Sequence, residues 1–261
     1  MRSTQTLQCL LLATGLPFSA PCQTTAPGFE VASVRPSLPE TKTSMRRDPA
    51  GGFTATSVPL KTLILFAYNI QDFQLLDLPA GIASERYDVL AKSPEGARKD
   101  QTWVMLQSLL ADRFRLTVHK EERQLTVYAL VVSRKGFKLE ESRQPPSEAD
   151  DSVKFAPGRI TCIKVPMSDL AMALTGPAGH KVIDRTGISG KYDVKLEWTP
   201  NLNASAPNGA EPPREGDRPA PQADGPGLFA AIEDQLGLRL VPEKGTVEVF
   251  IVDHLERPNL N

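Results

Sequence analysis

A chain of 261 residues, 40% hydrophobic and 23% charged, can bury one large core or two small ones beneath a soluble surface. Its formal charge of -1, with Lys and Arg interspersed among Asp and Glu, offers no general attraction for nucleic acid or anionic lipid. Nucleic acid is therefore not an expected partner.

The chain opens MRSTQTLQCLLLATGLPFSAPCQTTAPGFEV: Arg2, an apolar stretch from Leu7 to Leu16 broken by Pro17, then small residues. That is the layout of a secretory signal peptide, with an apolar run too short to span a bilayer. Ala20-Pro21-Cys22 puts small side chains where a signal peptidase reads, so residues 1–22 are expected to leave by cleavage before Gln23. Lipidation of Cys22 is the other reading, and Pro21, where such sites take Gly, Ala or Ser, argues against it. No later run approaches the roughly 18 apolar residues of a membrane span. The mature protein is thus expected to be exported, periplasmic or extracellular, with no membrane span. Loss of Cys9 and Cys22 leaves Cys162 alone, without a disulfide partner, at what reads as a buried strand position in RITCIKV.

FEVASVRPS, from Phe29, is a leading strand that Arg35-Pro36 ends, since proline cannot donate to a ladder. GGFTATSVPLKTLILFAYN, from Gly51, reads as strand then helix. Pro59 stands at the first helical position, where an N–H would be unpaired anyway, and Leu60, Leu63, Ile64 and Ala67 follow at i, i+3, i+4, i+7. GIASERYDVLAKSP, from Gly81, holds a strand through Tyr87-Asp88-Val89. The next helix has Leu106, Leu110 and Phe114 on one face. After it come two strands, Arg115 to His119 and Leu125 to Val132, joined by a charged turn at Glu121-Glu122. SRQPPSEADDS, Ser142 to Ser152, reads as a joint.

The same order then returns. GRITCIKVPMSDLAMALTG, from Gly158, repeats the strand, the Val165-Pro166 junction and a helix face of Met167, Leu170, Ala171 and Leu174. GISGKYDVKLEWTP, from Gly187, answers with Tyr192-Asp193-Val194. A last helix marked by Phe229, Ile232 and Leu236 ends at Gly237, well suited to a left-handed cap, before strands Arg239 to Val241 and Val247 to Val252. The first copy carries Arg113 at that helix end. Its helix must end differently or bear about 1 kcal/mol for a left-handed non-glycine residue. Thr199 to Gly227, rich in Pro, Gly and Ala and without apolar periodicity, is expected to be a disordered loop.

Self-similarity on this scale predicts an α+β fold of two homologous βαββαββ halves, mostly antiparallel sheets with helices packed on one face. The expected division is a signal peptide at 1–22, a first half with its leading strand at 23–141, a linker at 142–157 and a second half at 158–261.

The most pattern-rich stretch is DRTGISGKYDVKLEW, residues 184–198. Tyr192, Val194, Leu196 and Trp198 alternate with Asp193, Lys195 and Glu197, which describes a half-buried strand with a charged outer face. Asp184, Thr186 and Gly187 are turn formers, so a turn is the preferred reading; Asp184, Arg185 and Asp193 are the candidate binding residues if it is a site. GISGK is too short for a phosphate loop and Ser189 lacks a nucleophile-elbow context. His119, His180 and His254 show no metal-ligand spacing, and His119, at a strand end beside a charged turn, is expected to be solvated. No catalytic residue, metal or cofactor is expected.

FEVASVRP, DRFRLTVHKEERQLTVYALVV, VIDRTGISGKYDVKLEW and VEVFIVDHLERPNLN together resemble the soil-associated bacterial secreted protein family, a domain of unknown function sometimes joined to membrane metallopeptidases of the antibiotic-sensor type. The likeness spans Phe29 to Asn261; it implies export and supplies no catalytic residues. The unit of strand, Val-Pro, helix and strand is also similar to the short N-terminal domains of secretins and TonB receptors, which are periplasmic interaction modules. The leading expectation is a non-enzymatic module that binds an envelope protein or extracellular ligand. The rival is a hydrolase, or a peptidase-associated enzyme or sensor ectodomain, with a site in the cleft between the halves.

Overall fold

The computed structural model describes residues 27–38, 41–48, 51–96, 98, 100–142, 150–199 and 226–258. The expected signal peptide and residues 200–225 of the expected loop lie outside the described residues. At the loop's margins Thr199 donates its N–H to the Pro226 carbonyl at 3.0 Å, so the two ends meet. No helix among the described residues is long and apolar enough to cross a membrane.

The chain runs through β1 (Val31–Pro36), β2 (Ser44–Arg47), β3 (Phe53–Pro59), α1 (Leu60–Tyr68), a short helical turn at Asp72–Gln74, β4 (Leu75–Leu76), α2 (Ala80–Ala83), β5 (Arg86–Lys92), α3 (Gln101–Phe114) and β6 (Thr117–Val132). It continues with β7 (Ser152–Ala156), β8 (Arg159–Val165), α4 (Met167–Ala178), β9 (Val182–Asp184), β10 (Tyr192–Glu197), α5 (Leu228–Ala231), a wide π-helical turn at Ile232–Leu236, and β11 (Leu238–His254). The fold is α+β. One antiparallel sheet has the order β1-β5-β3-β2 and another β10-β8-β7; a third, β4-β11-β6-β9, joins the long antiparallel pair β6 and β11 to short parallel partners on either side.

The helix periodicity is met residue by residue. Leu60, Leu63, Ile64 and Ala67 of α1 are fully buried, as are Leu170 and Leu174 of α4, with Met167 and Ala171 nearly so. Each such large side chain contributes about 1.5–3 kcal/mol by leaving water. The Tyr192, Val194 and Leu196 face of β10 is buried as its alternation requires. Gly237 is left-handed at φ 67, and the matching residue after α3 is Arg115 at φ 51, two positions beyond Arg113. Of the expected face Ile232 and Leu236 are buried, and Leu228 and Ala231 join them at helical spacing where Phe229 was expected. Phe229 stays 46% exposed, edge-on to Tyr128 at 5.2 Å between ring centres.

The expected strand pairs after each second helix are single strands. β6 and β11 pair continuously from Leu238 opposite Val132 to Val252 opposite Val118, so the order within each segment is not βαββαββ. The stretch HKEERQ carries no glycine, proline, asparagine or aspartate to turn the chain, and its charges are satisfied in an exposed ribbon: Lys120 meets Glu248 at 3.0 Å and Glu121 meets Arg123 at 2.8 Å. Gly245 is a close-approach residue there, since a Cβ would lie 2.8 Å from a Val127 methyl. Part of the expected linker is also structured: β7 pairs with β8, and Val153 packs on the second core.

Because β6 and β11 cross the molecule, each of them contributes one end to the first core and the other end to the second. The first gathers α1, α3 and the inward residues of β3 and β5, together with Phe250 and Val252 from β11. The second gathers α4, β8, β10 and the last helix around Leu130 from β6, together with Leu238 and Leu240. Between them Val127, Val247, Val249 and Ile251 form a small bridging core, against which Phe73 packs, and Phe73 stacks on His180 at 6.3 Å.

Candidate functional site

Both lobes place a strained residue just ahead of their Val-Pro junction. Ser57 (φ 50) and Lys164 (φ 51) are left-handed non-glycine residues at β-bulges, where β3 and β8 slip register against β5 and β10. An aspartate holds each bulge. Asp88 Oδ1 accepts the Ser57 N–H at 2.7 Å and the Ser37 hydroxyl at 2.5 Å; Asp193 Oδ1 accepts the Lys164 N–H at 2.9 Å and Oδ2 the Ser142 hydroxyl at 2.9 Å. Ser37 and Ser142 also donate their N–H groups to the carbonyls of Arg86 and Lys191, both at 2.9 Å. The adjacent tyrosines are core residues with tethered hydroxyls: Tyr192 donates to the Ser189 carbonyl at 2.9 Å and meets Phe137 edge-on, while Tyr87 meets Phe114 edge-on.

Asp184, Arg185 and Asp193 serve separate local tasks. Asp184 Oδ1 accepts the N–H and hydroxyl of Thr186 at 2.9 and 2.7 Å, and the Thr186 hydroxyl accepts the Ile188 N–H at 3.1 Å, so DRTG is a turn closed by its own side chains. Arg185 is an exposed residue 3.7 Å from Glu243. Asp193 is the bulge anchor. His119 is half exposed and bonded to Asp253 at 2.8 Å. Among the described residues no three His, Cys, Asp or Glu side chains could hold a metal. Cys162 is buried, and that burial, with Asp169 nearby, pushes its thiol up to about 11, so it is not a poised nucleophile.

A different group of residues does converge. A cavity of about 340 Å³ is lined by Pro36, Glu85, Arg86, Tyr87, Arg257 and Pro258. The tail after β11 forms one wall of this open cavity: Leu255 packs on the first core and Glu256 donates its N–H to the Phe114 carbonyl at 2.7 Å. Arg257 then directs Nε and Nη2 at Glu85 Oε1, at 2.9 and 2.7 Å, while the Tyr87 hydroxyl donates to Glu85 Oε2 at 2.8 Å. Arg86 is held by Nη1 alone, which donates to the Ser57 carbonyl at 2.7 Å and the Thr43 hydroxyl at 2.8 Å. The bulge thus positions an arginine at the cavity wall.

The electrostatics follow from these contacts. Hydrogen bonds from Arg257 and then Tyr87 hold the Glu85 carboxyl below its ordinary value, and Glu85 in turn raises Arg257. Burial, then the bond to Glu85, pushes the Tyr87 phenol up, so it stays neutral. A carboxylate whose folded pKa lies below its unfolded value stabilises the fold above the unfolded value, and that contribution fades as pH falls through the folded one. Urea midpoints of the protein and of Glu85→Gln should therefore differ at neutral pH and converge as the pH drops below the ordinary 4.5. A gap that persists undiminished in acid would show that the ion pair is not its source.

Glu85 and Arg257 lie 172 positions apart, and neither stands in a motif, so no sequence signal marks them. The quoted stretches ERYDV and LERPN each contain part of the site without pointing to the other. Among curated proteins and among solved structures no match was found. A family model described as a protein of unknown function (DUF3738) matches residues 61–255, from α1 through both cores to the edge of the C-terminal clasp. With well over half of its length matched, the chain belongs to that family.

Proposed function

We propose that the protein is an exported, non-enzymatic binding module, of the soil-associated secreted type, that takes an extracellular ligand or a segment of an envelope partner in the cavity between Glu85–Tyr87 and the Arg257–Pro258 clasp. The observation that carries this reading is the cavity itself: residues from the two ends of the chain meet there with their charged groups held in fixed places. The acidic residues of DRTGISGKYD, by contrast, are engaged in turn and bulge bonds. The recurrence of the aspartate-held bulge in both lobes supports a module written twice, in which one lobe has acquired the clasp.

The test expresses the full chain in a secreting bacterium, determines the N-terminus of the exported protein, and screens it by thermal shift against small molecules and envelope extract. A ligand present at about 100 times its Kd should add about 2.7 kcal/mol to stability. Filling the cavity with Pro258→Trp should remove the shift. A protein retained with residues 1–22 intact would remove the export part. Turnover of a screened compound that is lost in Asp184→Ala or Asp193→Ala would replace binding with the hydrolase reading.

A further inference from the structure

Among the described residues Arg86 has no carboxylate partner, although it lines a cavity. Its two bonds both leave from Nη1 and run to backbone and hydroxyl oxygens, so the guanidinium is fixed in place while its Nε–Nη2 edge makes no bond to the described residues. That edge is the fork that matches the two oxygens of a carboxylate, and holding it rigid lowers the entropy lost when it binds one.

The rest of the lining decides the sign and shape of what would fit. Glu85 is already engaged, since Arg257 makes two bonds to Oε1 and the Tyr87 hydroxyl one to Oε2. The lining itself carries two guanidiniums and one carboxylate; the next carboxylate, Asp88, is turned to the Ser57 N–H and the Ser37 hydroxyl. Pro36, Pro258 and the Tyr87 ring add apolar wall. In the second lobe Lys191 stands at the position of Arg86, since its carbonyl receives the Ser142 N–H as that of Arg86 receives the Ser37 N–H. Lys191 is paired with Asp151 at 2.7 Å, so the unpaired cation belongs to the first lobe.

Resting on the binding reading above, we infer that the cavity recognises a monocarboxylate with a small apolar body, its two oxygens on the Nε–Nη2 edge of Arg86 and its apolar part between Pro36, Tyr87 and Pro258. The carboxylate is either that of a free organic acid or the C-terminus of a peptide, and both are built from the same chemistry.

The experiment uses the full exported chain, labelled with nitrogen-15, and follows the arginine Nε–Hε signals during titration with benzoate, benzamide and benzylammonium at constant ionic strength. Benzoate should shift the Arg86 signal saturably, bind at least tenfold more tightly than benzamide, and weaken at least tenfold in Arg86→Lys, which keeps the charge and loses the fork. A short apolar peptide with a free C-terminus, compared with its amide, tells the two sources apart: tighter binding than benzoate assigns the peptide, weaker binding the free acid. Equal affinity for benzoate and benzamide would overturn the inference while leaving a binding cavity in place. No shift of Arg86 by any probe would likewise overturn the inference, whereas the binding reading falls only if the thermal-shift screen also returns nothing. Because the wild-type signals already report the contact, the test stands even if the Arg86→Lys protein folds poorly.

Discussion

Gly237→Ala should cost about 2–5 kcal/mol, the sum of a left-handed non-glycine residue and a forced backbone displacement. At Gly237 φ is 67, and a Cβ would overlap the Gly136 carbonyl oxygen and lie 3.0 Å from its carbon. The contact is with backbone, so no side chain can swing aside. The carbonyl of Gly237 also receives the Ser133 N–H at 2.9 Å, which ties the end of the last helix to the chain leaving β6. A loss of this size is a large part of a domain's usual 5–15 kcal/mol, so the variant should unfold at clearly lower urea or fail to accumulate. Gly96→Ala is the comparison: φ is 78 there and nothing lies within 4 Å of its Cβ, so only the conformational strain applies. Equal urea midpoints for the two variants would show that the close approach to Gly136 is not what constrains the site.

Asp193→Ala should lose about 2–4 kcal/mol, because it removes charge-assisted hydrogen bonds and leaves the N–H of buried Lys164 without its acceptor. Asp193→Asn keeps an acceptor oxygen and should lose about half as much. Asp88→Ala should behave alike, since the Ser57 N–H and Ser37 hydroxyl converge on one of its oxygens. Equilibrium unfolding of the three variants checks the order. If Asp193→Ala keeps full stability yet loses a ligand that Asp88→Ala still binds, then Asp193 belongs to a recognition site and its anchoring role is secondary. The expected result makes it scaffold, and directs attention to the first lobe, where the same kind of bulge also places Arg86.

The readings that survived in the structure are those that depend on one segment at a time. Four apolar residues at helical spacing have only one way to reach a core, so α1 and α4 could be drawn from LKTLILFA and MSDLAMAL. Alternation in YDVKLE assigns its faces in the same way, and glycine at 237 marks a left-handed cap because little else adopts that conformation cheaply. The misreadings have physical reasons as well. A solvated charge run looks alike in a turn and in an exposed ribbon, so HKEERQ did not reveal one continuous strand. Leu228 and Phe229 both stand at helical spacing from Ile232 and Leu236, so periodicity alone did not tell which of the two turns inward.

By itself, then, the sequence determined the α+β class, the inward faces of α1, α4 and β10, and the turn nature of DRTG, because each rests on periodicity or on conformational limits within a few residues. Only the tertiary structure decided that β6 and β11 lend their ends to opposite cores, that two aspartates hold left-handed bulges, and that Glu85, Arg86 and Arg257 meet. Those contacts are set by how the long ribbon brings distant backbone together, and pairing between remote segments leaves no periodic trace in the chain.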